Sequence, residues 1–268
     1  MLKQRLITAL VLIVVSLWAL FGAEQLAWQV AVIFVSMIGA WEWAQFMRLD
    51  NRVMRFAFSV LTACLVGIGL YFEAHNWIVY LAVIQLIVVV VAVTRYQLSA
   101  GQAGLNNPFA AGLIGLLFLV SFALSLIWLR EAYSAWVVLF SMAMIWVMDS
   151  GAYFAGRRFG RHKLAPHVSP GKTWEGVLGG VMLVGLMSVL VWFGWAQTFY
   201  SPGLVVFVLI TSLIAALSVY GDLFESLLKR QVNIKDSGKI LPGHGGVLDR
   251  IDSLLLALPL FWVFWSFT

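Results

Sequence analysis

Charge is what this sequence has least of. Asp, Glu, Lys and Arg together make up 11% of its 268 residues, where a soluble domain carries about 25%. Hydrophobic residues make up 62%. A soluble chain of this length still shows water about a quarter of its unfolded surface, and there is too little polar surface here to cover it. An ordinary soluble enzyme and a disordered chain are therefore excluded. Cysteine is almost absent: Cys64 stands alone in an apolar run, so no internal disulfide forms and a secreted disulfide scaffold is excluded. Histidine is scarce, and the four residues are scattered, which argues against zinc. What remains is an all-α, polytopic integral membrane protein.

A membrane-spanning helix needs about 20 mostly apolar residues. Nine stretches qualify, at roughly 6–22, 27–46, 54–72, 77–94, 109–129, 134–154, 175–195, 203–221 and 251–267. The first resembles a signal peptide in having Lys3 and Arg5 before it. No small-residue cleavage site follows before Glu24, so it is read as a span. With the N-terminus placed in the cytoplasm and the loops assigned alternately, all 17 Lys and Arg except Arg130 fall on the cytoplasmic side. That split obeys the positive-inside rule and puts the C-terminus on the far side. The outer connections, Ala23 to Leu26, Glu73 to Asn76, Arg130 to Tyr133 and Ala196 to Pro202, are short and bland. The inner connections after spans six and eight, at 155–174 and 222–250, are long, basic and rich in glycine. Residues 1–133 (spans one to five) and 134–268 (spans six to nine, the catalytic part) are expected to form one continuous membrane domain. There is no internal repeat of the kind that builds inverted-repeat transporters.

Spacings of three and four put Asp222, Glu225 and Lys229 on one helix face. Carboxylates at membrane depth are costly and normally face a partner or a watery cavity. A Glu225–Lys229 pair that merely neutralises itself is the plain alternative. Asp249 and Asp252 share a face at the start of span nine, where the helix dipole favours acids and capping alone explains one of them. Together with Asp222 and Glu225 they form a set of hard oxygen ligands suited to Mg²⁺. The glycines of Pro242-Gly-His-Gly-Gly246 allow close approach of backbone N–H groups to a phosphate, although a simple turn has the same composition. Gly171-Lys172-Thr173 is not a P-loop, because Pro166 stands where the first glycine is required. Lys172 can still meet a phosphate, and Thr173 can cap the following helix. Asp149, near the end of span six, is either a packing contact or part of the site. Glu42, between Trp41 and Trp43, is read as interfacial, with Trp as the membrane-edge anchor. This inventory fits phosphoryl or nucleotidyl transfer at the cytoplasmic face, with a lipid as one substrate.

Ser226-Leu-Leu-Lys-Arg230, Lys235-Asp236, Leu241-Pro-Gly-His-Gly-Gly246 and Leu248-Asp-Arg-Ile-Asp252 resemble, in order and spacing, the signature of the phosphatidate cytidylyltransferase (CDP-diacylglycerol synthase) family. Asp149-Ser-Gly-Ala-Tyr153, Gly156-Arg157 and Ser169-Pro-Gly-Lys-Thr-Trp-Glu-Gly176 are similar to it as well. Gly171 departs from the pattern, which more often has Lys there, and this puts one phosphate contact in question. The first half of the chain resembles the family in architecture only.

The resemblance implies that CTP and phosphatidic acid give CDP-diacylglycerol and pyrophosphate with Mg²⁺, in a two-cation centre that can include K⁺. It implies an enzyme of the inner membrane working among membrane lipids, with no nucleic acid partner; a homodimer is left open. The roles expected are cation binding for Asp222, Asp249, Glu225 and Asp252, and phosphate neutralisation for Lys229, Arg230, Lys239 and Arg250. Ser169, Lys172 and Thr173 are expected to seat a phosphate, and His244, Gly245 and Gly246 to order the loop around the nucleotide. The catalytic set is Asp222, Lys229, Asp249 and Arg250. Two other enzyme readings and one non-enzyme reading compete. A CDP-alcohol phosphotransferase lacks its Asp-Gly-x-x-Ala-Arg run here. A CTP-dependent lipid or polyprenol kinase would release CDP instead of pyrophosphate. An anionic-lipid or metabolite transporter would need paired discontinuous helices.

Overall fold

Apolar stretches of this length, with few breakers inside them, satisfy their backbone only as helices in lipid. The computed structural model describes residues 2–194, 202–243 and 245–268, with side chains from Ile7 onward. Nine α-helices occur among them: α1 (Leu2–Phe21), α2 (Gln25–Trp43), α3 (Arg52–Tyr71), α4 (Trp77–Leu98), α5 (Pro108–Ala132), α6 (Ala135–Phe159), α7 (Trp174–Gly194), α8 (Leu204–Gln231) and α9 (Leu248–Ser266). Each corresponds to one expected span. Seven of them, α2 to α8, are long and apolar enough to cross a membrane. The protein is thus an all-helical polytopic membrane protein. The apolar part of α1 is shorter, Ile7–Phe21, and α9 carries Asp249, Arg250 and Asp252 in its first five residues. The side chains of Lys3 and Arg5, and the connection expected at 196–202 up to residue 201, lie outside the described residues.

Two expectations about the inner connections need correction. The segment 222–250 is not a loop throughout: α8 continues to Gln231, so Asp222, Glu225, Lys229 and Arg230 are helical. Glu225 and Lys229 stay largely buried there and pair with Asp249, and Asp222 pairs with Lys172, so the helix has no reason to stop at the end of its apolar run. The segment 155–174 likewise begins as the end of α6. It then folds as a hairpin of β1 (Lys163–Ala165) and antiparallel β2 (Ser169–Thr173), a small exception to an all-helical chain. Gly171-Lys172-Thr173 lies in that strand, which is consistent with its failure as a P-loop.

Helices α5 and α9 form the centre, each buried along much of its length. Small residues set the closest approaches, as is usual between membrane helices. Against α6, a Cβ on Gly180 of α7 would lie 2.7 Å from the Met148 carbonyl oxygen, and one on Gly176 would lie 2.8 Å from that of Ala152. Between α8 and α9, a Cβ on Gly221 would lie 2.8 Å from the Asp252 carbonyl oxygen. Buried polar groups join helices as well: Gln85 Nε2 donates to Ser121 Oγ at 2.6 Å, and Ser188 and Thr211 share a hydrogen bond of 2.8 Å.

The two ends of the bundle differ. At one end Arg130, the basic residue expected to stand apart from the others, braces the α1–α2 turn. Its guanidinium donates to the carbonyls of Leu20 and Ala23 and lies 5.2 Å from the Trp28 ring centroid. At the other end are the C-termini of α2, α4, α6 and α8, the N-termini of α3, α5, α7 and α9, and the hairpin. Contacts between Trp43 and Ala111, Gln97 and His167, and Lys172 and Val219 join them.

Candidate active site

The polar end of the bundle gathers charges that are dispersed in the chain. Gly221 lets α8 and α9 approach until Asp222 and Asp252 share one electrostatic neighbourhood. Asp149, from the C-terminal half of α6, and Lys172, from β2, complete it. The Lys172 Nζ lies 2.6 Å from Asp222 Oδ2 and donates to the Val219 carbonyl at 3.3 Å. Both side chains keep partial access to the outside, at 23% and 31%. The Ser226 hydroxyl donates to Asp222 Oδ1 at 3.3 Å.

One turn along α8 is a second, drier cluster. Lys229 Nζ lies 2.6 Å from Glu225 Oε2 and 2.8 Å from Asp249 Oδ1. These side chains are 14%, 3% and 7% exposed. Burial of this depth is tolerated when the charges are paired and hydrogen-bonded. The Glu225–Lys229 pair expected from the sequence therefore exists, but it is one half of a three-residue bridge to α9. Asp249 Oδ2 accepts from the backbone N–H groups of Ser237 (2.9 Å) and Gly246 (2.8 Å).

The second oxygen of Glu225, Oε1, is buried with no hydrogen-bond partner, and Asp252 lies close enough to act on Glu225 electrostatically. Among the described residues no three His, Cys, Asp or Glu side chains already converge on a single point. In donor type the residues would suit a hard cation: they are carboxylates, and one oxygen, Glu225 Oε1, is buried with no hydrogen-bond partner.

The other expected site residues fall into three groups. Ser169 and Thr173 lie in β2 with Lys172. Thr173 is buried, and its hydroxyl accepts from the Gly176 N–H at 3.2 Å, so it caps α7. Arg230, Lys239 and Arg250 are exposed at the same end of the bundle, and consecutive helical positions aim Arg230 away from Lys229. Gly245 takes a positive φ of 86° and pairs with Leu241, whose N–H donates to its carbonyl. The Gly246 N–H is committed to Asp249. His244 lies outside the described residues.

Glu42 and Trp43 require a correction. Trp43 is no membrane-edge anchor: it is 1% exposed, its indole N–H donates to Ala111 O at 2.9 Å, and Gly115 leaves room for the ring. Glu42 is also 1% exposed and faces the start of α9. A lone carboxylate in an apolar span signals function or a partner by default. That signal was present in the sequence, while the partner, some 200 residues away, was not.

The fold and site define a class: a multi-span helical membrane protein with paired acids and lysines gathered at one end of its bundle, suited to handling phosphate groups. Within that class the chain belongs to the cytidylyltransferase family, whose family model matches residues 3–268. The chain is 36% identical over 288 residues to the phosphatidate cytidylyltransferase of Haemophilus influenzae, covering 100% of this chain and 99% of that protein. It is 39% identical over 264 residues to the enzyme of that name from Pseudomonas aeruginosa (97% and 96% covered), and 33% identical over 265 residues to that of Brucella suis (98% and 93%).

Proposed function

We infer that the chain transfers the cytidylyl group of CTP to phosphatidic acid, forming CDP-diacylglycerol and pyrophosphate. The observation that carries this reading is end-to-end similarity to phosphatidate cytidylyltransferases, which takes in both lysine-centred clusters. A phosphate oxygen of the lipid attacks the α-phosphorus of CTP; that P–O bond forms as the bond to the β-phosphate oxygen breaks, and pyrophosphate leaves. A phosphate monoester has its second pKa near about 6, so at neutral pH the nucleophile is already ionised and no strong base is required. The barrier to lower is repulsion between two polyanions, which is a matter of charge placement.

The roles follow from the charges. Asp222, Glu225, Asp249 and Asp252 would hold Mg²⁺, with a second cation such as K⁺ in the same acidic group. When bound, the cations supply positive charge to the phosphate oxygens. Lys172 and Lys229 pair with the acids in the free protein and would turn to phosphate if the acids took up cations. Exposed Arg230, Lys239 and Arg250 draw the triphosphate to this end. Ser169 lies in the same strand as Lys172, Thr173 holds the strand-to-helix turn, and His244 with Gly245 and Gly246 would shape the loop over the nucleotide. The basic end faces the cytoplasm across the inner membrane, with the N-terminus on that side, in keeping with the distribution of Lys and Arg. Residues 134–268 carry most of the chemistry, and packing of α5 and α2 against α9 supports one continuous domain.

Purified protein in detergent–lipid micelles, given labelled CTP, phosphatidic acid and Mg²⁺, tests the reading. The expected products are a cytidine-bearing lipid and pyrophosphate in equal amounts. Release of CDP with a newly phosphorylated lipid would identify a kinase instead, and turnover of neither kind in a folded sample would overturn the assignment.

A further inference from the structure

Glu42 lies in α2, far in sequence from every residue assigned a role above, and its burial at 1% exposure requires a reason. The reason is visible at the start of α9. The first N–H groups of a helix have no partner within it. At α9 the capping position is Val247, which offers no side-chain acceptor. The Glu42 side chain supplies what is missing: Oε1 accepts from Val247 N–H at 3.1 Å, and Oε2 from Leu248 N–H at 2.7 Å. Its oxygens also reach the loop that precedes α9. Ser237 Oγ donates to Glu42 Oε2 at 3.4 Å and accepts the Asp249 N–H at 3.2 Å, and Asp249 Oδ2 in turn accepts the Ser237 N–H at 2.9 Å. In the turn just after α2, Gln45 Nε2 donates to the Ser237 carbonyl at 2.6 Å. Gly246 is needed for the same reason: a Cβ there would lie 2.6 Å from Glu42 Oε2.

We propose that Glu42 is a positioning residue for the active site, capping α9 from α2 and, through Ser237, fixing the orientation in which Asp249 is presented. The proposal rests on the cation-binding reading of Asp249. Glu42 is buried, and its oxygens are taken up by the start of α9 and by Ser237. It holds the group that holds Asp249, the outer-shell arrangement whose loss typically costs about 10–100-fold in metal affinity or activity.

The test compares Glu42→Gln, Ser237→Ala, the double variant and Asp249→Asn in micelles, with folding checked by thermal melting. In Glu42→Gln one acceptor oxygen becomes an NH₂ group that cannot serve a backbone N–H. We expect kcat to fall about tenfold or more. The half-saturating Mg²⁺ concentration should rise several-fold while KM for phosphatidic acid stays within about twofold. Without substrates, the rise in melting temperature on adding Mg²⁺ should shrink. Ser237→Ala removes the hydroxyl that links Glu42 Oε2 to the Asp249 N–H, keeps the backbone N–H on Asp249 Oδ2, and leaves the cap. It should shift the Mg²⁺ dependence in the same direction, and the double variant should be no worse than the poorer single one, because both act on one linkage. A folded Glu42→Gln protein that melts lower but keeps parental kcat and Mg²⁺ dependence would overturn the proposal. If Glu42→Gln does not fold, Ser237→Ala decides by the same criterion. An unchanged Mg²⁺ response in Asp249→Asn overturns the cation reading and this inference with it. A shift in Asp249→Asn with none in Glu42→Gln or Ser237→Ala overturns this inference alone.

Discussion

Replacing Lys229 with Met removes one positive charge from between two carboxylates and leaves the aliphatic volume nearly unchanged. Lys229 Nζ is 2.6 Å from Glu225 and 2.8 Å from Asp249, and both acids are under 10% exposed. Breaking a buried pair by deleting one partner costs about 3–5 kcal/mol, because the survivor is left uncompensated in a poor solvent. Here two survivors remain, and one of them, Glu225, already has an unsatisfied oxygen. Asp249 retains its two backbone donors, so most of the penalty falls on Glu225. A loss of about 4 kcal/mol, at roughly 2–4 °C per kcal/mol for a chain of about this size, lowers the melting temperature by about 8–16 °C. The assay is thermal unfolding in detergent, followed by intrinsic tryptophan fluorescence. The companion variant Glu225→Gln/Lys229→Met removes the orphaned charge together with its partner and should regain at least half of the lost stability, since a buried pair replaced as a unit is often near neutral. A Lys229→Met protein melting within 2 °C of the parent, or a double variant less stable than the single, would refute this account of the cluster.

Asp222→Asn should reduce turnover by at least about tenfold at limiting Mg²⁺, measured as pyrophosphate release; near-normal turnover would remove Asp222 from the cation set. Gly221→Ala places a methyl group 2.8 Å from the Asp252 carbonyl oxygen, so α8 and α9 must separate. The expected cost is about 1–3 kcal/mol of stability with a marked loss of activity, seen by melting and by product formation. Thr173→Ala removes the acceptor for the Gly176 N–H and should cost about 1 kcal/mol, read as a lower melting temperature. Thr173→Ser, which keeps the oxygen, should recover most of it.

How much of this was legible beforehand follows from the range of the forces involved. Transfer of an apolar segment out of water depends on that segment alone, so nine helices could be located from runs of apolar residues, and the bundle's basic end from the placement of Lys and Arg. Helical periodicity is equally local. It put Asp222, Glu225 and Lys229 on one face and anticipated the Glu225–Lys229 pair, although the end of the apolar run was a poor guide to the end of α8. Thr173 as a cap was also readable, because a cap and its helix are adjacent.

The partnerships across helices were not readable. Nothing near Asp222 in the chain indicates Lys172, fifty residues earlier, and nothing near Lys229 distinguishes Asp249 from Asp252. Those choices depend on how closely α8 lies against α9 and the hairpin, which Gly221 and its neighbours control sterically. Glu42 is the plainest instance. By itself it is an acid beside two tryptophans, as suited to a membrane edge as to an interior. Only the packing of α2 against α9 brings its oxygens to the N–H groups at the start of α9. The sequence alone determined the class of protein, the helices and the chemical inventory, since these depend on local composition and spacing. The tertiary structure decided which charge neutralises which, because electrostatic pairing in a dry interior acts over a few ångströms and is set only once the helices have met.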